Sequence, residues 1–401
     1  MKCGLCCSNC GKRRTFQMKD TRCGCGGTML VEYDLERASR TLTKESLKNR
    51  QTTMWRYEEL LPIEKNEHIV SLGEGWTPLV RLYGAEKALP LQKLWVKREE
   101  QNPTGSFKAR GFSAAVSLAR EYGIRKVAVN SNGNAASALA AYAGYAGMEA
   151  YLFLPRDCPG LIVEECIHYG ARTFLVDGLI HDAGQIIRDG ERDQGWHHVG
   201  TLKEPGRVEG KKTMGLELAE QLGWKLPDVI VYPTGGGSGI IGMWNAFRQL
   251  KQLGMVDGDM PRMVSVQEAG CQPVVRSMAK GEFVAQTEGV TSKPTGMRVP
   301  NPPDGGLIVS ILQESNGTAL SVTPKEICDA QADMGNQGIS ASPEGAAAWA
   351  GLLRLIDRGW IHKNDEVVLF NTSHAMKYWP WHAVRVPVVR TYQDWVDLHK
   401  L

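Results

Sequence analysis

The chain lacks any long hydrophobic run, although apolar residues occupy 42% of its 401 positions. No apolar stretch approaches the length of a membrane-spanning helix, and the first residues lack the apolar core of a secretory signal. Positive and negative charges nearly balance, with a net charge of +3 and no long basic run, which argues against a nucleic-acid partner. We therefore expect a cytoplasmic protein that binds neither membranes nor nucleic acid.

The chain also lacks internal repeats, and short β-branched runs alternate with helical stretches over most of its length. The pattern predicts strands at 94–97, 126–130, 150–154, 172–176, 228–232, 263–267 and 366–370. It predicts helices at 106–122, 134–146, 160–169, 238–253 and 343–357. Such alternation is typical of an α/β protein with mainly parallel sheets, whose ligands bind at the carboxyl ends of the strands.

Cysteine is concentrated at the N-terminus, where six of the ten cysteines lie within the first 25 residues. In a reducing compartment such crowding favours metal binding over disulfides. The candidate zinc ligands are two close pairs on glycine turns: Cys7 and Cys10, and Cys23 and Cys25. A rival pair, Cys3 and Cys6, leaves the ligand set open. We predict a zinc-ribbon-like segment over residues 1–30, with structural zinc because four thiolates leave no open position for catalysis.

One lysine has the surroundings of a nucleophile. Lys108 lies in the segment PTGSFKARG (103–111), between a turn of small residues and the start of an apolar helix. Burial disfavours an ammonium ion and lowers its pKa, which provides a free amine that can attack a carbonyl. This segment predicts a lysine that forms a Schiff base, with an ordinary surface lysine as the alternative.

A glycine-rich loop joins a predicted strand to a predicted helix in the segment VIVYPTGGGSGIIGMWNAF (229–247). The backbone N–H groups of Gly235 to Gly239 can surround a phosphate, which the helix dipole also favours. Gly237, Gly239 and Gly242 also fit the dinucleotide fingerprint, although the acidic residue expected about 20 positions later is poorly placed. The loop predicts a phosphate site without identifying the phosphate, so an NAD-dependent oxidoreductase stays an alternative.

A second polar loop follows the predicted strand 126–130. Ser131, Asn132, Gly133 and Asn134 precede a helix of small residues. Small polar groups and free amides at the start of a helix favour a carboxylate site.

The lysine turn, the asparagine loop and the glycine loop, in this order, resemble fold-type II pyridoxal-phosphate (PLP) enzymes, and specifically the threonine synthase family. Further counterparts are SLGEGWTPL (71–79), EPGRVEGKKT (204–213), ASPEGAAAWAGLL (341–353) and FNTSHAMKY (370–378). The resemblance covers most of the chain and implies two open, mainly parallel-sheet domains behind the cysteine-rich segment. It implies a large PLP-binding domain of residues 31–110 and 223–401 and a small domain of residues 111–222 that closes over the substrate.

The resemblance also implies roles for individual residues. Lys108 is then the catalytic lysine that binds PLP and moves protons at the substrate's Cα and Cβ. The implied cofactor-binding residues are Phe107, Lys108, Asn134, Gly235, Gly236, Gly237, Ser238, Gly239 and Thr372. The implied substrate-binding residues are Ser131, Asn132, Ala135 and Arg207. The neutral hydroxyl of Thr372 at the pyridine nitrogen suits elimination and replacement reactions.

The implied reaction converts O-phosphohomoserine and water to threonine and phosphate. Two departures from the family pattern keep a PLP-dependent serine/threonine dehydratase or a β-replacement enzyme open as alternatives. Ala109 stands where the family usually has aspartate, and the glycine loop lacks the family's asparagines. A non-enzymatic binding module is disfavoured by the intact lysine segment. The resemblance further implies a homodimer, which is common among fold-type II enzymes.

Overall fold

The computed structural model describes residues 2–18, 21–131, 133–178, 180–292, 294–379, 387 and 389–398. Its strands are β1 Lys2–Cys7, β2 Arg13–Arg14, β3 Met29–Tyr33, β4 Leu79–Arg81, β5 Lys93–Arg98, β6 Lys126–Asn130, β7 Glu149–Pro155, β8 Arg172–Val176, β9 His197–His198, β10 Val229–Pro233, β11 Arg262–Glu268, β12 Thr318–Val322 and β13 Glu366–Asn371.

Its α-helices are α1 Leu35–Ser39, α2 Lys44–Lys48, α3 Tyr83–Ala88, α4 Lys108–Glu121, α5 Asn134–Tyr145, α6 Gly160–His168, α7 Ile180–Asp193, α8 Gly206–Gln221, α9 Ser238–Gln252, α10 Pro273–Lys280, α11 Gly305–Glu314, α12 Pro324–Asn336, α13 Pro343–Asp357 and α14 Tyr392–Leu398. Short 3₁₀ helices lie at Met54–Leu60, Asn66–His68, Glu99–Gln101, Pro103–Gly105 and Ala375–Lys377. Within the described ranges, no helix is long and apolar enough to span a membrane.

The strands form three sheets. Six strands build the largest sheet in the order β12-β11-β10-β13-β5-β4, in which only β4 runs antiparallel to its neighbour. A second sheet, in the order β8-β7-β6-β9, is wholly parallel. The short N-terminal sheet β2-β1-β3 is antiparallel. The predicted α/β class with mainly parallel sheets is thus confirmed.

The position of β10 inside the large sheet explains why its sequence is apolar throughout. Every residue of β10 is buried, because helices cover both faces of a parallel sheet. Val229 and Val231 pack with residues of α12 and α13 on one face. Ile230 and Tyr232 pack with residues of α9 and α11 on the other.

All seven predicted strands and all five predicted helices are present, with ends that differ by up to two residues. The alternation missed several helices, among them α7, α10, α11 and α12, and also α8, whose first half lies in the segment that sequence analysis treated only as a family motif. It also missed the edge strands β4 and β12, which are only partly buried and therefore less apolar.

A buried ionic network joins β5, α4 and α8. Arg110 donates to both oxygens of Glu99 at 2.7 Å and to both oxygens of Glu217 at 2.6 and 2.7 Å. Lys97 donates to Glu217 at 2.9 Å and to the carbonyl of Thr77 at 2.7 Å. Burial alone would raise the pKa of Glu217, but the charges of Arg110 and Lys97 bring it to about 2. The charges of Lys97, Glu99, Arg110 and Glu217 are therefore all paired only when β5, α4 and α8 pack together.

We expect Glu217→Gln to lower the free energy of unfolding by about 3–5 kcal/mol, because it leaves two buried cations with one carboxylate. Urea denaturation followed by circular dichroism measures this change. Lys325→Ala is the control, since Lys325 pairs with Asp329 at an exposed position, and we expect no measurable change from it. A Glu217→Gln protein as stable as the parent would contradict the importance of the network.

Candidate active site

The turn that carries Lys108 is held against the C-terminal side of β13. Thr104 and Gly105 both have a φ of 63°, a left-handed conformation that is rare for threonine. The N–H of Phe107 donates to the carbonyl of Thr372 at 3.0 Å, and the N–H of His374 donates to the carbonyl of Gly105 at 3.0 Å. These bonds bring the lysine turn next to Thr372.

Lys108 is half-buried, and its Nζ lies 3.9 Å from the centroid of the Phe107 ring. Among the described residues it has no hydrogen-bonding partner. Burial, reinforced by the nearby charge of Arg207, lowers the pKa of Lys108 to about 7, and the carboxylate of Glu344 partly opposes both effects. A substantial fraction of the amine is therefore neutral and nucleophilic at neutral pH.

The glycine loop connects β10 to α9. Gly237 has a φ of 73°, and a side chain there would collide with Ile308 of α11. At the start of α9, Ser238 accepts a hydrogen bond from Lys211 at 2.8 Å. Burial holds the pKa of Lys211 well below its usual value, and the charges of Arg207 and Lys108 lower it further. A lysine under such repulsion beside a helix N-terminus provides a site for a phosphate.

The asparagine loop faces the same space from β6 and α5. The Oγ of Ser131 accepts from the N–H of Gly133 at 3.0 Å, and Asn134 donates to the hydroxyl of Tyr378 at 2.7 Å. The Oδ1 of Asn134 is buried without a hydrogen-bonding partner in the described part of the chain. Asn132, the other predicted member of this loop, lies outside the described residues.

These three segments line one cavity of about 420 Å³. Every described residue that sequence analysis assigned to cofactor or substrate lines it: Phe107, Lys108, Ser131, Asn134, Ala135, Arg207, Gly235, Gly236, Gly237, Ser238, Gly239 and Thr372.

The cavity is strongly cationic. Its lining includes six lysine and arginine residues but a single carboxylate among the described residues, that of Glu344. Arg207 donates to the carbonyl of Val199 at 3.0 Å, and its buried Nε has no partner within the described ranges. Burial lowers the pKa of Arg207 to about 10, against the opposing effect of Glu204, so the guanidinium stays charged at neutral pH. The arrangement favours anionic ligands.

Glu344 and Tyr378 are among the residues of the cavity wall to which sequence reasoning assigned no role. Glu344 accepts from the N–H of Gly296 at 2.9 Å, and Tyr378 accepts the hydrogen bond from Asn134. Burial, reinforced by the charge of Glu344, raises the pKa of Tyr378 well above its usual value, so the phenol is neutral. Both residues lie in segments quoted for the family resemblance, but only folding brings Tyr378 to Asn134 and both residues to the cavity wall.

The N-terminal cysteines form a separate cluster. The sulfur atoms of Cys7, Cys10, Cys23 and Cys25 all lie within 4.8 Å of one another. This set matches the predicted ligands, and in the described residues the rival pair Cys3 and Cys6 does not join it. The close grouping of four sulfurs fits a tetrahedral ion, because zinc–thiolate bonds of about 2.3 Å separate sulfurs by only a few ångströms.

Comparison with known proteins places these features in a family. A family model described as pyridoxal-phosphate dependent enzyme matches residues 70–373. Threonine synthase from Methanocaldococcus jannaschii is 33% identical over 374 residues, which cover 92% of each chain. Threonine synthase from Methanosarcina acetivorans is 35% identical over 375 residues, which cover 92% of this chain and 91% of that protein. The chain belongs to the threonine synthase family.

Solved structures support the fold of this threonine synthase family member. Maize serine racemase has a TM-score of 0.64 and 21% identity, and the match covers 81% of this chain and 93% of that chain. The processed form of threonine deaminase isoform 2 from Solanum lycopersicum has a TM-score of 0.63 and 20% identity, with 81% and 82% covered. At such identities the likeness shows only the fold-type II architecture.

As a member of the threonine synthase family, this protein is a PLP-dependent lyase, so its cofactor is PLP rather than NAD. The cavity fits that group on independent grounds. A neutral amine at Lys108 suits an aldehyde, and the glycine loop with Lys211 suits a phosphate. The unpaired oxygen of Asn134 shows that this side chain has hydrogen-bonding capacity left for a ligand.

We expect Lys108→Ala to abolish turnover and the visible absorption band of the bound cofactor while the protein stays folded, because the side chain is replaced at a cavity wall. Absorbance spectroscopy with circular dichroism measures both. Turnover retained by this variant would refute the role of Lys108.

The lowered pKa of Lys108 gives a pH dependence for loading cofactor-free protein with PLP. The neutral amine attacks, so we expect the loading rate to rise about tenfold per pH unit below pH ~6 and to level off above pH ~8. Stopped-flow absorbance measures this rate. A rate that still rises between pH ~9 and ~10 would indicate an ordinary lysine pKa instead.

Proposed function

We propose that this protein is a threonine synthase that converts O-phosphohomoserine and water to threonine and phosphate. The excess of cations in the cavity carries the proposal. Of the six lysine and arginine residues, Lys108 would bind the cofactor's aldehyde and Arg298 pairs with Asp157, which leaves four for anionic ligands. One bound phosphate, with a charge of about −1.5 to −2 at neutral pH, would be held at Lys211 and the glycine loop. A second phosphate, on the substrate, would account for Arg207 and Lys203.

The two phosphates would bind to different parts of the wall. The cofactor phosphate suits the N–H groups of Gly235 to Gly239, together with Ser238 and Lys211. The substrate phosphate suits Arg207 and Lys203, which line the cavity near Thr201. Arg207 has a buried, unpaired N–H group available for this contact.

The remaining cofactor contacts would come from the residues that the resemblance implied. Phe107 would pack against the ring, Asn134 would bind the 3′-oxygen, and the hydroxyl of Thr372 would face the pyridine nitrogen. When bound, PLP supplies an electron sink for negative charge that develops on the substrate carbons. Lys108, with its pKa near neutrality, removes and returns protons at Cα and Cβ. The substrate carboxylate suits Ser131, Asn132 and the amide of Ala135.

We further propose that residues 111–222 close over the substrate as a small domain. Two of the ion pairs between this segment and the rest of the chain lie at α6 or just before it. Lys377 pairs with Glu165 of α6, and Arg298 pairs with Asp157 at 2.6 Å. Closure would exclude water from the reacting groups until it is needed for addition.

We also propose that Cys7, Cys10, Cys23 and Cys25 hold a structural zinc ion. The grouping of their sulfur atoms supports this assignment, and four thiolates provide a closed site.

A serine/threonine dehydratase is the second candidate, because the glycine loop contains only glycine and serine between Gly235 and Gly239. Such a substrate needs no second phosphate site.

The deciding experiment mixes PLP-loaded protein with O-phosphohomoserine and measures phosphate and threonine. We expect equal amounts of both. No phosphate release, with the cofactor band intact, would rule out the proposed reaction, and keto-acid formation from serine or threonine would then support the dehydratase.

We expect Arg207→Gln to raise the KM for O-phosphohomoserine about 10- to 100-fold, since a charge-assisted hydrogen bond contributes about 1.5–3 kcal/mol. Steady-state kinetics and the inhibition constant of inorganic phosphate measure the change. Lys93→Gln is a control, because Lys93 lies at an exposed end of β5, away from the cavity. An unchanged KM in Arg207→Gln would exclude this residue from the phosphate site.

A further inference from the structure

The N-terminal segment contacts two loops of the active-site cavity. We call residues 2–33, which include β1, β2 and β3, the cysteine ribbon. Its contacts reach the 200–203 loop and the 300–304 loop. Both loops contribute residues to the cavity wall, so the ribbon lies directly behind the site.

The ribbon contacts the 200–203 loop at Leu202, whose backbone conformation is unusual. Leu202 is buried and has a φ of 56°, in the left-handed region that leucine rarely adopts. Its carbonyl accepts a hydrogen bond from the hydroxyl of Thr21 at 2.6 Å. The neighbours of Leu202, Thr201 and Lys203, both line the cavity. The contact from the ribbon therefore supports the backbone that presents Lys203.

The 300–304 loop is held at its last two residues. Asp304 accepts from the hydroxyl of Ser8 at 3.3 Å and from the N–H of Thr28 at 3.2 Å. Arg22 donates to the carbonyl of Pro303, which lines the cavity. Asp304 also caps α11 by accepting from the N–H of Leu307 at 3.3 Å.

Helix α11 extends this connection to the glycine loop. Ile308, one turn into α11, occupies the space that a side chain at Gly237 would need. The capped end of α11 therefore packs directly against the glycine loop, so the position of Asp304 is linked to the backbone of that loop.

Two of the four clustered cysteines are adjacent in sequence to donors of these contacts. Cys7 precedes Ser8, and Cys23 follows Arg22. Within the ribbon, the turn at 23–27 closes through the N–H of Cys23 and the carbonyl of Gly27 at 2.9 Å. Binding one metal ion to both turns fixes them relative to each other, because a segment this small has little core of its own.

We infer that the four-cysteine site positions the 200–203 and 300–304 loops, so that metal bound in the ribbon increases the affinity of the cavity for a phosphate-bearing ligand. The identity of that ligand rests on the proposed function, whereas the positioning of the loops does not. The cysteines act through Thr21, Ser8 and Asp304 and are positioning residues.

The first test compares PLP-loaded parent protein with Cys10→Ser/Cys25→Ser, which removes two ligands. Metal content is measured by elemental analysis, and loop protection by hydrogen exchange with mass spectrometry. We expect about one zinc per parent chain, loss of zinc in the variant, and faster exchange in peptides covering both loops. Cys3→Ser is the matched control, because Cys3 lies on β1 outside the cluster, and we expect it to behave as the parent.

The second test removes the contacts and keeps the cysteines. Thr21→Val is nearly isosteric and lacks the hydroxyl that donates to Leu202. Asp304→Asn retains one oxygen to cap α11 but replaces the other acceptor by a donor. We expect the double variant Thr21→Val/Asp304→Asn to keep zinc and its cofactor band, and to show the same faster exchange in both loops.

Ligand affinity is measured as the dissociation constant of inorganic phosphate and as KM for O-phosphohomoserine. We expect both to rise about tenfold in each double variant, with kcat within about twofold of the parent. A parent without bound metal would overturn the inference, as would zinc loss with unchanged exchange in both loops. Should the cysteine variant fail to fold, unchanged exchange and affinity in Thr21→Val/Asp304→Asn would overturn it. Failure of the parent to bind phosphate would instead count against the proposed function. The hydrogen-exchange data would still decide whether the four-cysteine site positions the two loops.

Discussion

The buried pairing of Arg110 with Glu99 and Glu217 is the constraint on which the active site depends. Arg110 is two residues after Lys108 on α4, and Glu217 lies on α8, the helix that also carries Arg207. A buried charge without its partner is strongly destabilising, so α4 and α8 are stable together only in the register that satisfies these bonds. That register brings Lys108 and Arg207 to one cavity. The network therefore matters more for where the site forms than for the net stability of the fold. Replacing all of its charged residues by apolar residues of equal volume would often give a core of similar stability.

The cavity wall brings several cationic side chains close together, and their mutual repulsion determines which of them stay charged. Lys108, Arg207 and Lys211 repel one another, and burial adds to the repulsion by disfavouring each charged form. The three respond differently because their side chains differ. The lysines shift towards the neutral amine, whereas the guanidinium of Arg207 keeps its charge. The same environment thus favours a neutral amine at one position and a permanent cation at another. Anionic ligands relieve the repulsion, so they stabilise the folded protein as well as bind to it.

Much of this site could be predicted from sequence because its chemistry depends on local backbone requirements. The turn before Lys108 and the glycines before α9 are short segments whose composition reveals their conformation, and Gly237 does adopt the left-handed geometry. Glu344 and Tyr378 could not be assigned, because their roles arise from contacts with residues far away in the chain. The choice between rival cysteine pairs also needed the fold, since spacing alone permits both. The contact from Asp304 to Ser8 of the ribbon joins residues 296 positions apart and has no sequence signal at all.

The geometry of α8 bears on how the site discriminates between substrates. Arg207 and Lys211 are four residues apart on one face, so their side chains originate about 6 Å apart along the helix axis. One anion near Lys211 and Ser238 leaves the guanidinium of Arg207, with its unpaired buried Nε, uncompensated. A substrate without a phosphate would bind while that charge stays unpaired, which carries the energetic penalty of a buried, unsatisfied donor. The site would then select a phosphorylated amino acid by penalising its competitors as well as by attracting the correct substrate. The glycine loop would not need to supply asparagines for this purpose, because α8 would supply the discrimination.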